Sequence, residues 1–231
     1  LMAVISPTIR KSHYRGLALL AASAILLLAF GLRVQGLDHA GLHWDEGYSQ
    51  WMVRLPVGDL FQATALDIHP PLYYLLLRGA QALFGDDVFA LRYLSVLAGV
   101  LTAAGVFALG RLISGYGVGT LALLLIAVSR VNIDLSQLMR MQVLAGTFAT
   151  LGLWGAVRLW RQPTWHVTSG AALTYLLAVI AGLYTFYLSV ILPLAASLIF
   201  VLAWWRRGRS RDLLLKSSAL HVIAVLAFLP W

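Results

Sequence analysis

Residues 16–32 read Gly16-Leu17-Ala18-Leu19-Leu20-Ala21-Ala22-Ser23-Ala24-Ile25-Leu26-Leu27-Leu28-Ala29-Phe30-Gly31-Leu32, and ten residues later comes Leu42-His43-Trp44-Asp45-Glu46-Gly47-Tyr48. The first stretch is long and apolar enough to enter a bilayer, whose hydrocarbon core needs about 20 such residues as a helix. The second places two adjacent carboxylates, flanked by Trp and Tyr, at the edge of that bilayer. The whole composition agrees with the first stretch. The chain has 231 residues, of which 61% are hydrophobic and 11% charged. A soluble domain does not carry this balance, so the fold class is an all-α polytopic membrane protein. No small-x-small cleavage site follows the first run, where Arg33-Val34-Gln35 stands, so it does not read as a signal peptide. Cysteine is absent, which excludes disulfides and thiolate metal sites.

Further apolar runs lie at about 70–84, 88–110, 117–129, 141–160, 168–187, 188–205 and 217–231. The run at 70–84 differs from the rest. It starts with Pro70-Pro71, carries Arg78 and Gln81, and is too short to cross easily. We read it as an amphipathic helix at the membrane surface. The other runs then give about seven crossings. The charges alternate cleanly on that reading. One side collects Arg10, Lys11, Arg15, Arg111, Arg158, Arg161, Arg206, Arg207, Arg209, Arg211 and Lys216 against the single acid Asp212. The other carries the loop arginines Arg33, Arg54, Arg78, Arg92, Arg130 and Arg140 against eight acids. By the positive-inside rule the first side, with the N-terminus, is cytoplasmic. The net charge of +8 is therefore a topology signal and does not call for nucleic acid.

The external loop of about 34–87 is long and not of low complexity, and long ordered loops in compact proteins usually carry function. Short helices are expected over 46–54 and 57–66, interrupted at Pro56 and Gly58. A second polar element, residues 129–140, faces the same side. Asp45 beside the membrane suits a general base, and Arg140 suits an anion. Asp45 could equally cap a helix starting at Glu46. His39 and His43, four apart, could join the carboxylates around a divalent metal, although no metal or other cofactor is favoured.

Trp44-Asp45-Glu46, Asp67-Ile68-His69-Pro70-Pro71-Leu72-Tyr73, Leu91-Arg92-Tyr93-Leu94-Ser95 and Ser136-Gln137-x-x-Arg140 occur in order. Together they resemble the GT-C membrane glycosyltransferases, in the branch of the protein O-mannosyltransferases and the bacterial aminoarabinose transferases. The resemblance implies a single GT-C-like module over 1–231 in the bacterial inner membrane. It implies transfer of a sugar from a polyprenyl-phosphate donor on the extracytoplasmic face, with inversion. Asp45 would be the catalytic base with Glu46 beside it. His69, Arg92, Gln137 and Arg140 would bind the donor among membrane lipids. Leu138 and Gln142 stand where relatives carry Glu and an aromatic, and the family's downstream part is expected to be missing. A second reading follows, a catalytically silent relative acting as a structural subunit beside partner membrane subunits.

Overall fold

The structure, a computed structural model, describes residues 7–39 and 41–231, with side chains from Tyr14 onward; Arg10 and Lys11 of the basic count lie outside the described side chains. The described residues form eleven α-helices and one 3₁₀ turn, and no strand occurs among them. In chain order these are α1 (Pro7–Val34), α2 (Trp44–Arg54), α3 (Val57–Ala65), α4 (Leu72–Phe84), α5 (Val88–Ser114), α6 (Tyr116–Ala127), α7 (Arg130–Ser136), α8 (Gln142–Arg161), α9 (Gly170–Thr185), the 3₁₀ turn Tyr187–Val190, α10 (Ile191–Arg206) and α11 (Arg211–Phe228).

Four helical segments are long and apolar enough to cross a membrane: Tyr14–Val34, Val88–Ser114, Gln142–Arg161 and Tyr187–Arg206. The bent pair α6 and α7 adds a fifth if counted as one span, and α9 is a shorter apolar helix. The protein is an all-α polytopic membrane protein. The α4 segment has 13 residues, about 20 Å of helix, too short to cross the hydrocarbon.

Contacts sort the helix ends. At one end, Arg161 donates to Ile113 O at 2.7 Å, Arg207 to Pro163 O at 3.3 Å, and Lys216 lies over Trp165. The C-termini of α5, α8 and α10 therefore meet the N-terminus of α11 there. At the other end, Arg33 and Gln137 join α1, α6 and α7, and Trp231 donates to the Tyr187 hydroxyl at 3.0 Å. Among the described side chains, the basic residues of the sequence alternation gather at the first end and most acids at the second.

Small residues let the helices approach this closely. A Cβ on Gly155 of α8 would lie 2.9 Å from Ala171 O and from Tyr175 N of α9, so these backbones touch. Gly110 of α5 meets the backbone of Gly119 of α6 in the same way. The reversal between those two helices is a single residue, Gly115, at φ +89°, which an L side chain rarely adopts.

The break between α6 and α7, a bend of 62°, has an identifiable partner. Arg33 of α1 is fully buried and donates to Ile126 O and Ala127 O at 3.1 and 3.2 Å. These carbonyls are the orphan acceptors at the end of α6, where the helix dipole is negative. The guanidinium also reaches Asn132 Oδ1 at 2.5 Å. The sequence had placed Arg33 among loop charges. It is buried because an interrupted helix offers it acceptors.

Gly155→Ala should force α8 and α9 apart and lower stability by about 1–3 kcal/mol, the usual cost of overpacking. Gly79→Ala on α4, where no atom lies within 4 Å of the added carbon, should be neutral or stabilising. Thermal unfolding in detergent checks both, and equal midpoints for the two variants would contradict the packing argument.

Candidate functional site

The first loop folds because its N-terminal helix is anchored from inside. Helix α2 begins with a reciprocal cap: His43 Nδ1 accepts from Asp45 N–H at 3.4 Å, and the Glu46 carboxylate accepts from His43 N–H at 3.0 Å. Asp45 is therefore not the cap. Adjacent residues on a helix point about 100° apart, so only one of the two carboxylates can face inward. Here it is Glu46, which is 0% exposed.

Glu46 is paired with Arg92 of α5, itself buried, by two bonds of 2.7 and 2.8 Å. The same carboxylate accepts from Met139 N–H at 2.9 Å. Arg92 also donates to Leu37 O at 2.7 Å and Gly41 O at 3.0 Å. One ion pair thus ties together the exit of α1, the first turn of α2, the start of α5 and the turn before α8. Burial pushes the Glu46 carboxyl upward, but the Arg92 guanidinium and the His43 and Met139 amides outweigh it and hold the group below the ordinary carboxylate range. Every oxygen of Glu46 is engaged, and neither side chain reaches the surface.

Asp45 takes the other direction, with its side chain 48% exposed. Its Oδ2 lies 3.6 Å from Arg140 Nη2 and 3.9 Å from His43 Nδ1. Arg140 projects from a turn whose neighbours Met139 and Met141 are fully buried, so two apolar anchors aim the cation between them. Gln137 does not join Asp45. Its amide donates to Leu32 O, Arg33 O and Gln35 O, capping the end of α1.

His69 lies at the entry to α4. Asp67 Oδ2 is 3.2 Å from its Nδ1, and the ring stacks on Phe186 at 6.2 Å. The bridge back to Asp45 is aromatic. The Tyr74 hydroxyl is buried without a hydrogen-bond partner among the described residues. Burial raises its pKa, and the Asp67 carboxylate adds to the shift, with smaller effects from Tyr48, Arg140 and Asp45. Tyr48 is raised in the same way, first by burial and then by Asp67. Asp45, Arg140, Tyr48, Tyr74, Asp67 and His69 are thus neighbours on the acidic end of the bundle. Sequence reasoning did not single out Asp67, Tyr48 and Tyr74; the signal available was their place in the Asp-x-His-Pro-Pro-x-Tyr-Tyr string and the Gly-Tyr after Asp45-Glu46.

A sizeable cavity lies beside the charges rather than at them. It is an apolar cleft of about 620 Å³ whose lining includes Phe61, Pro71, Leu72, Leu75, Phe148 and Tyr184. It starts two residues beyond His69 and runs between α4, α8 and α9. Among the described residues no three His, Cys, Asp or Glu side chains gather as a metal-ligand set.

The described residues thus form an all-helical membrane bundle with a half-exposed carboxylate beside Arg140 and an apolar cleft nearby. Residues 68–231 match the model of the family described as dolichyl-phosphate-mannose-protein mannosyltransferase, and the chain belongs to that family. It is a membrane glycosyltransferase family whose sugars come from polyprenyl-phosphate carriers. The matched segment holds His69, Arg92 and Arg140, while Asp45 and Glu46 precede it. No curated protein matches the chain, and no solved structure does.

The stability of the first loop should depend on pH through Glu46. Its folded pKa is lower than its unfolded one, so the contribution is complete above about pH 4.3 and is lost as pH falls through the lower folded value. Glu46→Gln leaves Arg92 buried without its counter-charge and should cost about 3–5 kcal/mol. Thermal midpoints measured from pH 7 downward should fall for the parent and stay flatter for the variant. Parallel curves would contradict the role given to this pair.

Proposed function

We propose that this protein transfers a sugar from a polyprenyl-phosphate donor to a hydroxyl or amine acceptor at the acidic end of the bundle, inverting the anomeric carbon, with Asp45 as the base. The observation that carries this reading is the division of labour between adjacent carboxylates. Glu46 is sealed and fully bonded, whereas Asp45 is half exposed and sits 3.6 Å from Arg140. A base must reach solvent-borne or lipid-borne acceptor, and Asp45 alone of the two can.

In the reaction, the acceptor O–H or N–H attacks the anomeric carbon and its proton passes to Asp45. The bond from that carbon to the phosphate oxygen breaks, and the electron pair leaves with the polyprenyl phosphate. Arg140 and His69 hold that phosphate and neutralise the charge growing on its oxygens. Asp67, 3.2 Å from His69 Nδ1, fixes the orientation of the imidazole. The cleft beginning at Pro71 is apolar and large enough for several isoprene units of the carrier. Glu46 and Arg92 position Asp45 and the Arg140 turn without touching substrate. A single displacement needs only one base, which fits an inverting outcome. The excess of basic residues at the opposite end sets the orientation by the positive-inside rule, with the N-terminus cytoplasmic and the site extracytoplasmic.

Asp45→Asn keeps the shape and removes the base. It should lower transfer from a polyprenyl-phosphate sugar by about 10²–10⁴ without changing the thermal midpoint. Arg140→Ala should chiefly raise the donor KM. A parent protein that turns over no donor, with or without divalent metal, would favour the silent-subunit reading. An Asp45→Asn variant as active as the parent would remove Asp45 from the mechanism.

A further inference from the structure

The basic end of the bundle holds a second feature, remote from the candidate site. Helices α10 and α11 are joined by a tight reversal in which Gly208 and Arg209 both take positive φ, 66° and 62°. The reversal folds Arg209 back over α10: its N–H donates to Trp204 O at 2.9 Å and its guanidinium lies 5.9 Å from the Trp204 ring. Just beneath, between the two helices, is a groove of about 220 Å³ lined by Trp204, Val201, Leu214, Ser217, Ser218 and His221, among others.

The charges around this groove are not balanced. Asp212, the single acid on this side of the charge alternation, is taken by Lys216 at 2.7 Å. Arg206 lies over Trp160, and Arg207 donates to the Trp160 and Pro163 carbonyls. Arg209 and Arg211 are exposed and have no carboxylate partner among the described residues. The polar groups inside the groove are also unequal. His221 is satisfied by the Ser217 carbonyl at 2.8 Å and by the Tyr175 and Ser197 hydroxyls at 3.1 Å each. Ser217 donates to the carbonyls one turn back. Ser218 is exposed and has no hydrogen-bond partner in the chain among the described residues, although it faces the groove.

We propose that this groove binds one anionic glycerophospholipid, of the phosphatidylglycerol type. Arg209 and Arg211 take the phosphate, a lipid ester carbonyl accepts from Ser218 Oγ, and an acyl chain runs down over Val201 and Leu214. The spacing fits. Ser218 is seven residues along α11 from Arg211, about 10 Å at 1.5 Å per residue. The interfacial layer of a bilayer is about 5–8 Å thick, so the cations and the hydroxyl bracket it. A hydroxyl left facing hydrocarbon is costly, and an ester carbonyl removes that cost. Trp204 is the residue type that belongs at this depth. A zwitterionic lipid would leave its own cation beside two uncompensated guanidiniums, and a free phosphate would leave Ser218 and the apolar walls unused.

The test is native mass spectrometry of the full protein in mild detergent, titrated with dioleoyl phosphatidylglycerol, with dioleoyl phosphatidylcholine and with soluble glycerol phosphate. The parent should retain one phosphatidylglycerol in preference to phosphatidylcholine, and glycerol phosphate should not displace it. The R209Q/R211Q variant should lose about fivefold in affinity per arginine. Ser218→Leu fills the groove with both charges intact and should also lose the bound lipid, whereas Arg15→Gln on α1 should keep it. Equal retention of the two lipids by the parent, displacement by glycerol phosphate, or parent-like phosphatidylglycerol affinity in a folded Ser218→Leu protein would each overturn the proposal. The Ser218→Leu arm decides even if the double arginine variant does not fold.

Discussion

A buried carboxylate and a buried guanidinium, Glu46 and Arg92, hold the acidic end of this protein together. Neither would be tolerated alone at that depth, because desolvating an unpaired charge costs several kcal/mol. Together, with backbone donors and acceptors from His43, Met139, Leu37 and Gly41, they satisfy one another. The constraint is long-range. It fixes α2 relative to α5 and clamps the Met139 turn against both. Because the turn is clamped, Arg140 has a defined direction. Because α2 is clamped, the neighbouring Asp45 must point away from the pair, toward Arg140 and the membrane surface. The geometry of the exposed residues is thus a consequence of the buried ones.

A similar economy holds at the other termini. Interrupted helices leave carbonyls without donors, and in a bilayer water does not supply them. Arg33 supplies donors to the end of α6, Gln137 to the end of α1, and Arg78 to the Val53 and Leu55 carbonyls at the end of α2. Arg54 and Gln81 meet on Asp86 at 2.7 Å each, closing the outer edge of the same loop. These polar side chains are what allow short helices and broken spans to sit beside the long apolar ones.

Much of this was legible in the sequence. Composition alone dictated an all-helical membrane protein, and Arg78 with Gln81 marked 70–84 as a helix that does not cross. The short helices of the first loop fell within a residue or two of their expected bounds. Asp45 and Arg140 were read as belonging to one face, and they meet. The division between Asp45 and Glu46 was not legible, because two adjacent acids carry the same chemistry and the inward one is chosen by an arginine 46 residues away. The same limit applies to the partners of Arg92 and Gln137: their motifs do not indicate that Arg92 bonds Glu46 and the Leu37 and Gly41 carbonyls, or that Gln137 bonds the carbonyls of Leu32, Arg33 and Gln35, which only the tertiary fold brings near. Arg33 looked like a loop charge because the break at the end of α6 leaves no mark in residues 28–34. His69 stacks on Phe186, more than a hundred residues away, which no local pattern could indicate.

The central claim is that the buried pair aims Asp45 and Arg140 at a polyprenyl-phosphate donor. Its most direct test is a cryo-EM structure of the full protein with a non-hydrolysable polyprenyl-phosphonate sugar. The account predicts the phosphonate between Arg140 and His69, the isoprenoid chain in the cleft that begins at Pro71, and the anomeric carbon facing the Asp45 side chain, with Glu46 and Arg92 still paired and out of contact. A ligand seated elsewhere, or one that contacts Glu46 while Asp45 faces lipid, would contradict it.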